Sequence, residues 1–281
     1  MTTDPSPNHN KACDLHEPHT GNWLTRSPEY ADWKSGSTRF LWLHGIPGAG
    51  KTILASFISE DVKAFCKDST LESTGWAYYY CYFGHKQDET PHLLRWVISQ
   101  LCRQMNAIPD EVRQLFLDGG SPPTRQLTVA LGAVLRNYHR VYLVIDALDE
   151  SLERERILNL LISILNDYAF EKLQLLVMSR KEVDIERALL GVSVDISLSN
   201  PHVDEDIRVY IQNTLCENHK FSRWPEELRG EIETALVKGA KGMYVFPPPS
   251  PPLSSRPRAE APDYRESAWL TFLGFDGLFV N

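Results

Sequence analysis

No stretch of this chain approaches the roughly 20 consecutive apolar residues that a helix needs to cross a bilayer. Its first residues, MTTDPSPNHNK, hold no apolar run that could act as a secretory signal. Cysteine is sparse: residues 13, 66, 81, 102 and 216 are scattered, odd in number and form no C-x-x-C pair. That pattern offers neither a disulfide framework nor a zinc knuckle, and it suits a reducing compartment. The histidines form no H-x-x-x-H or H-E-x-x-H pattern, and no G-x-S-x-G hydrolase elbow occurs. Positive charge is also in deficit, with 29 Lys and Arg against 37 Asp and Glu and a net charge of −8. Such a balance argues against nucleic acid or an anionic membrane as partner. The expectation from these absences is a cytoplasmic protein with no nucleic-acid and no membrane partner.

What is present is alternation. RFLWLH (39–44), WAYYYCYF (76–83), VYLVID (141–146), LQLLVM (173–178) and VSVDISL (192–198) read as strands. Between them apolar residues recur at helical spacing: Ile53, Leu54, Phe57, Ile58, Val62 and Phe65, then Leu93, Leu94, Val97, Ile98, Leu101 and Met105 after a Thr90-Pro91 helix start. Leu127, Leu131, Val134, Leu135 and Tyr138 follow, then an Ile- and Leu-rich helix over 157–165. The apolar strands run unbroken instead of alternating with polar residues, which marks a mainly parallel sheet covered on both faces. The fold class is three-layer α/β. Residues 1–13 are polar and read as a disordered N-terminus, 14–200 as the α/β domain, and 201–245 as a short all-α segment. Residues 246–281 begin with the proline run PPPSPP and read as a disordered tail.

The chemistry-bearing stretch is GIPGAGKT, Gly45 to Thr52, between a strand and a helix. It matches G-x-x-x-x-G-K-[ST], in which glycines let backbone N–H groups close around phosphate oxygens at the positive end of a helix. Gly45, Ile46, Pro47, Gly48, Ala49, Gly50, Lys51 and Thr52 form the candidate loop, with Lys51 for the β- and γ-phosphates and the Thr52 hydroxyl for Mg²⁺.

Roughly a hundred residues downstream, VYLVIDALDE ends a buried strand in acids. Asp146 stands at the carboxyl end of that strand, where ligands of open α/β sheets collect, and is the candidate Mg²⁺ ligand. Asp149 and Glu150 lie just beyond, placed to polarise an attacking water. The alternative is a solvated acidic loop capping the next helix. Arg180 ends the strand LQLLVM and has the planar donor fork that reads a γ-phosphate; the alternative there is an arginine paired with a nearby acid. Tyr78-Tyr79-Tyr80 reads as core, since no Lys or Arg interleaves to make a base-stacking surface.

Strand–GIPGAGKT–helix, the DALDE end and a strand closing in Ser-Arg resemble the NACHT nucleotide-binding domain of STAND-class P-loop NTPases. HTGNWL, HLLRWVISQL, NPHVDEDIRVYI and VKGAKGMYVF are similar to the nephrocystin-like NACHT modules of filamentous fungi, over residues 14 to 245. The resemblance implies triphosphate binding by Gly45, Gly48, Gly50, Lys51 and Thr52, and Mg²⁺ at Asp146. It implies hydrolysis supported by Asp149 or Glu150, and Arg180 as sensor. It places LQLLVM between the P-loop strand and the Asp146 strand. It also implies a nucleotide-controlled signalling switch, in immune or non-self recognition, with self-association or association with other NACHT proteins. The base is not marked, although the missing N-K-x-D guanine selector favours ATP over GTP.

Two departures from that pattern are expected to matter. Thirteen residues before Asp14 leave no room for an N-terminal effector, and after Val245-Phe246 the sequence turns into a tail foreign to the domain, as from an unspliced intron or a shifted frame. Two functions follow: a slow Mg²⁺-dependent ATPase or GTPase switch, or a truncated, non-hydrolysing module that modulates full-length relatives.

Overall fold

In the computed structural model the described residues are 4–68, 73–82, 84, 88–217, 221, 224–240 and 242–243. Five strands form one parallel sheet: β1 (Phe40–His44), β2 (Thr74–Tyr80), β3 (Arg140–Asp146), β4 (Leu173–Ser179) and β5 (Val194–Ser197). Their order is β2-β3-β4-β1-β5. The chain therefore crosses from β1 over two strand positions to β2, and β4 later fills the gap between β1 and β3. This is the strand placement that the family resemblance implied.

Burial follows position. Strands β1 and β4 are buried along their whole length and β3 from Val141 onward, as near-continuous apolar runs covered on both faces are, with polar Gln174 and Ser179 buried along with the rest of β4. The four-residue edge strand β5 is mostly exposed, and its brevity limits the unpaired edge it offers to other chains. Tyr78, Tyr79 and Tyr80 of β2 are buried core residues.

Helix α4 (Lys51–Asp68) packs over β2, β3 and β4 through Leu54, Ile58 and Val62; Phe65 stays partly exposed, beneath the Lys34 ammonium. Helix α5 (Thr90–Cys102) covers β2, and α7 (Thr124–Leu135) packs on α5. Met105 lies past the end of α5. The start of α5 differs from the expected threonine cap. Glu89 takes the N-cap position, and the Asp88 carboxylate accepts the Thr90 N–H at 2.9 Å. A further helix, α6 (Asp110–Asp118), has no fully buried residue and touches the core only through the partly buried Val112 and Leu115. Helices α8 (Arg154–Asn166) and α9 (Val183–Leu189) flank β4 in the chain, and α10 (Pro201–Glu217) packs against α11 (Glu226–Ala240).

The N-terminus corrects one expectation. Residues 6–14 are not disordered but form helix α1 (Ser6–Asp14), packed on α4. Polar composition suggested disorder, yet His9 and Ala12 are buried, and the His9 ring stacks on Tyr78 with centroids 4.1 Å apart. A nine-residue helix is too short to hold itself in water, so its order comes from tertiary contacts that composition does not record. Residues 14–36 continue through α2 (Asn22–Thr25) and α3 (Pro28–Ser35), whose Trp33 and Tyr30 lie in the core beside Tyr142. Of the tail expected from residue 246, and of 244–245 before it, all residues lie outside the described set.

Candidate functional site

The loop from β1 to α4 is built by its glycines. Gly48 and Gly50 have φ of 77° and 76°, angles at which a Cβ would meet the following carbonyl. Ala49 N–H donates to the Ile46 carbonyl at 3.2 Å, closing the turn. Among the described residues, the amides of Gly48, Gly50, Lys51 and Thr52 have no backbone acceptor, as expected for donors aimed out of a helix start. Pro47 removes one N–H from the loop, and Ile46 is exposed at its rim.

Lys51 folds its ammonium back over the loop, donating to the Gly45 and Ile46 carbonyls at 2.9 Å each. Burial pushes its pKa down, while the carboxylates of Asp149 and Asp146 pull it up. The lysine thus sits between the loop and the acids at and just beyond the end of β3.

Asp146 closes β3 and is 2% exposed. Burial raises its pKa to about 6; the Thr52 hydroxyl, the Ala147 amide and the Lys51 charge act in the opposite direction. Its Oδ1 has no hydrogen-bond partner. A buried carboxylate oxygen without a partner, beside a threonine hydroxyl at a helix start, is the hard-oxygen donor set that Mg²⁺ takes. Thr52 and Asp146 therefore fit this ion.

Beyond Asp146 the chain makes a turn that the sequence did not announce. Ala147 is left-handed at φ 54°, a conformation that costs a non-glycine residue on the order of 1 kcal/mol. The strained residue leads into a single 3₁₀ turn, Leu148–Glu150, with the Glu150 N–H donating to the Ala147 carbonyl at 2.8 Å. That turn delivers Asp149 to β4. Its Oδ1 accepts the Arg180 backbone N–H at 2.9 Å and its Oδ2 meets Arg180 Nε at 3.2 Å. The Asp149 side chain is 7% exposed while that of Arg180 is 48% exposed, so the pair anchors one edge of the guanidinium and leaves the remainder toward solvent. The acid-paired arrangement raised as an alternative for Arg180 is thus present.

Several residues of the site carried no local motif. Arg154 donates Nη1 to the Asp149 carbonyl at 3.0 Å and Nε to Asp184 at 2.7 Å, pinning the acidic turn to α9. Ser179, fully buried at the end of β4, accepts the Trp42 indole N–H at 2.8 Å, and its carbonyl accepts the Gly45 N–H at 3.2 Å. Those two bonds lock the loop's entry to the strand that carries Arg180. Cys81 is buried just past β2, and burial together with the nearby charges of Glu89 and Asp146 pushes its thiol pKa well up. None of these could be found from spacing, because each partner comes from a different element.

Register brings the three motifs to one edge. His44 pairs with Ser179 across β1 and β4, and Ile145 with Val177 across β3 and β4, so the loop, Asp146 and Arg180 all leave the sheet at its carboxyl end. Among the described residues, no helix is long and apolar enough to cross a membrane.

Comparison with known proteins agrees with this architecture. The family described as Nephrocystin 3, N-terminal, matches residues 19–180, more than half of the chain. The vegetative incompatibility protein HET-E-1 of Podospora anserina is 23% identical in an alignment 239 residues long that covers 80% of this chain and 17% of that protein. The chain therefore spans about a sixth of that relative's length. Among solved structures, the ADP form of the Aeropyrum pernix ORC2 protein superposes with a TM-score of 0.51 at 15% identity, over 84% of this chain and 64% of that one. At that identity the likeness concerns the fold alone. The sheet order, the glycine loop and the matched span together identify the chain as a P-loop NTPase-like member of the Nephrocystin 3, N-terminal family.

Proposed function

We propose that this chain binds a nucleoside triphosphate with Mg²⁺, ATP in preference to GTP, and hydrolyses it slowly as a STAND-type signalling switch. The observation that carries the reading is the buried, half-satisfied Asp146 carboxylate beside Lys51 and Thr52 of a glycine loop in which the amides of Gly48, Gly50, Lys51 and Thr52 have no backbone acceptor. In this account the loop amides and Lys51 hold the phosphates, with Lys51 leaving its two carbonyl acceptors for phosphate oxygens. Thr52 and Asp146 hold Mg²⁺, which supplies charge neutralisation at the phosphoryl oxygens. Asp149 orients Arg180, whose exposed fork is directed at the terminal phosphate. Glu150, one residue on, is the carboxylate that orients the attacking water and draws its proton.

HET-E-1 is a vegetative incompatibility protein, and the similarity to it supports a role in fungal non-self recognition; association between NACHT chains as the output and the cytoplasm as the place belong to the same proposal. A second reading is favoured by the Asp149–Arg180 pair, which holds the sensor arginine against an acid: a nucleotide-binding module that does not turn over and modulates full-length relatives. Multiple-turnover phosphate release distinguishes the two. The switch reading expects a slow, Mg²⁺-dependent signal that Glu150→Gln removes while nucleotide binding persists. No release from a protein that binds nucleotide supports the second reading, and release unaffected by Glu150→Gln would sink the assignment of that residue.

A further inference from the structure

Helix α1 carries a cluster that the nucleotide reading leaves unused. His9 and Cys13 stand four residues apart, hence on one face of α1, and meet Glu60 of α4. Nine residues separate Glu60 from Lys51, about 13 Å along the helix from the glycine loop. His9 Nε2 lies 3.0 Å from Glu60 Oε1 and 3.5 Å from Cys13 Sγ, and the three ligand atoms lie within 4.8 Å of one another. A tetrahedral zinc with ordinary bond lengths separates its N and O ligands by about 3.3 Å and its N and S ligands by about 3.6 Å. Both separations are close to those values before any ligand moves.

The surroundings also suit a metal. His9 is 4% exposed, its ring is fixed by stacking on Tyr78, and its other nitrogen, Nδ1, lies 3.0 Å from the Tyr80 hydroxyl. Ligating histidines use their second ring nitrogen in this way, to set tautomer and orientation. Cys13 and Glu60 are only partly buried, which leaves a path for the ion and for a water as fourth ligand. One neighbour opposes binding: Lys63 Nζ donates to Glu60 Oε1 at 2.8 Å and Oε2 at 2.9 Å. Keeping only the Oε2 bond frees Oε1 for the metal, at some loss of affinity from the adjacent charge.

We propose that His9, Cys13 and Glu60 form a binding site for Zn²⁺, or another divalent ion of similar softness, that fastens α1 to α4. Binding moves the His9 ring proton from Nε2 to Nδ1, where it donates to Tyr80, and releases the thiol proton to solvent. The fourth position is taken by water.

The test is titration of the full chain with Co²⁺ alone, in excess Mg²⁺ and without nucleotide, followed by competition with Zn²⁺. The expected result is one equivalent bound with a thiolate-to-cobalt charge-transfer band in the near ultraviolet, bleached by Zn²⁺. Cys13→Ser should remove the band, Glu60→Gln should weaken binding at least tenfold, and Lys63→Met should tighten it several-fold. Circular dichroism in chelator shows that each variant keeps its fold, Cys13→Ser being nearly isosteric. A band that survives Cys13→Ser assigns the metal to another cysteine and overturns the proposal, as does the absence of any band from folded wild-type protein. Because nucleotide is left out, failure here leaves the nucleotide reading standing.

Discussion

Helix α4 carries two groups of chemistry-bearing residues, and they were unequally visible. At its start, Lys51 and Thr52 follow a glycine loop whose spacing alone announces phosphate chemistry. Nine residues later, Glu60 meets His9 and Cys13 from a segment whose composition reads as disordered. The loop's geometry is local: two left-handed glycines, one proline and a helix start make the site with residues adjacent in sequence. The contacts that fasten α1 to the domain are long-range, 51 residues to Glu60 and 71 to Tyr80. The difference teaches that a short polar segment is ordered or not according to what its few apolar and ring atoms touch.

The largest expected effect tests whether α1 belongs to the domain. Ala12 is 3% exposed, so Ala12→Glu buries an unpaired charge and should cost about 3 kcal/mol in denaturant unfolding. If the helix merely rests on α4 it will detach instead, and the loss will stay well under 1 kcal/mol.

Next comes Asp146. Burial raises its pKa to about 6 in the fold against 3.8 for the free group, so folding of the metal-free protein favours the neutral acid relative to the unfolded chain. The contribution is fully favourable below about pH 4, fades as pH rises through about 6, and leaves a penalty of about 3 kcal/mol at neutral pH. Asp146→Asn should therefore stabilise the protein in chelator at pH 7.5 by about 1–2 kcal/mol, less than the full penalty because a buried amide replaces the acid. The gain should vanish near pH 4, and Mg²⁺-dependent nucleotide binding should be lost. A destabilised variant would contradict the buried-carboxylate account.

Ala147→Gly relieves a left-handed alanine and should raise stability by about 1 kcal/mol or less, since glycine's own entropy offsets part of the relief. Smallest of all is Arg180→Ala. Half of that side chain is exposed, so the pair with Asp149 should be worth under about 1 kcal/mol in unfolding. The change should instead appear in nucleotide discrimination, with the triphosphate losing its advantage over the diphosphate.

The sheet was legible because parallel strands buried on both faces read as near-continuous apolar runs, and Leu41–Leu43, Val141–Ile145 and Leu175–Met178 are such runs, although the buried Gln174 before the last is polar. Asp146 was legible for the same reason: an acid ending a run of that kind can only stand at the sheet's mouth. The Asp149–Arg180 pair was raised only as an alternative, because whether an arginine faces ligand or acid depends on the strained turn at Ala147, and alanine does not advertise a positive φ. Arg154, Ser179 and Glu89 were missed because their roles are set by partners on other elements. Helix α6 was missed because it is short and only Val112 and Leu115 pack on the core, neither of them fully buried.

Titration of purified protein with fluorescent ATP and GTP analogues in Mg²⁺, beside Lys51→Ala, tests the central claim most directly. The account predicts micromolar or tighter binding, stronger for ATP, and a loss of about a hundredfold in the variant, the value of one or two charged hydrogen bonds to phosphate. A folded wild-type protein that binds neither nucleotide, or binds them equally well without the Lys51 ammonium, would contradict it.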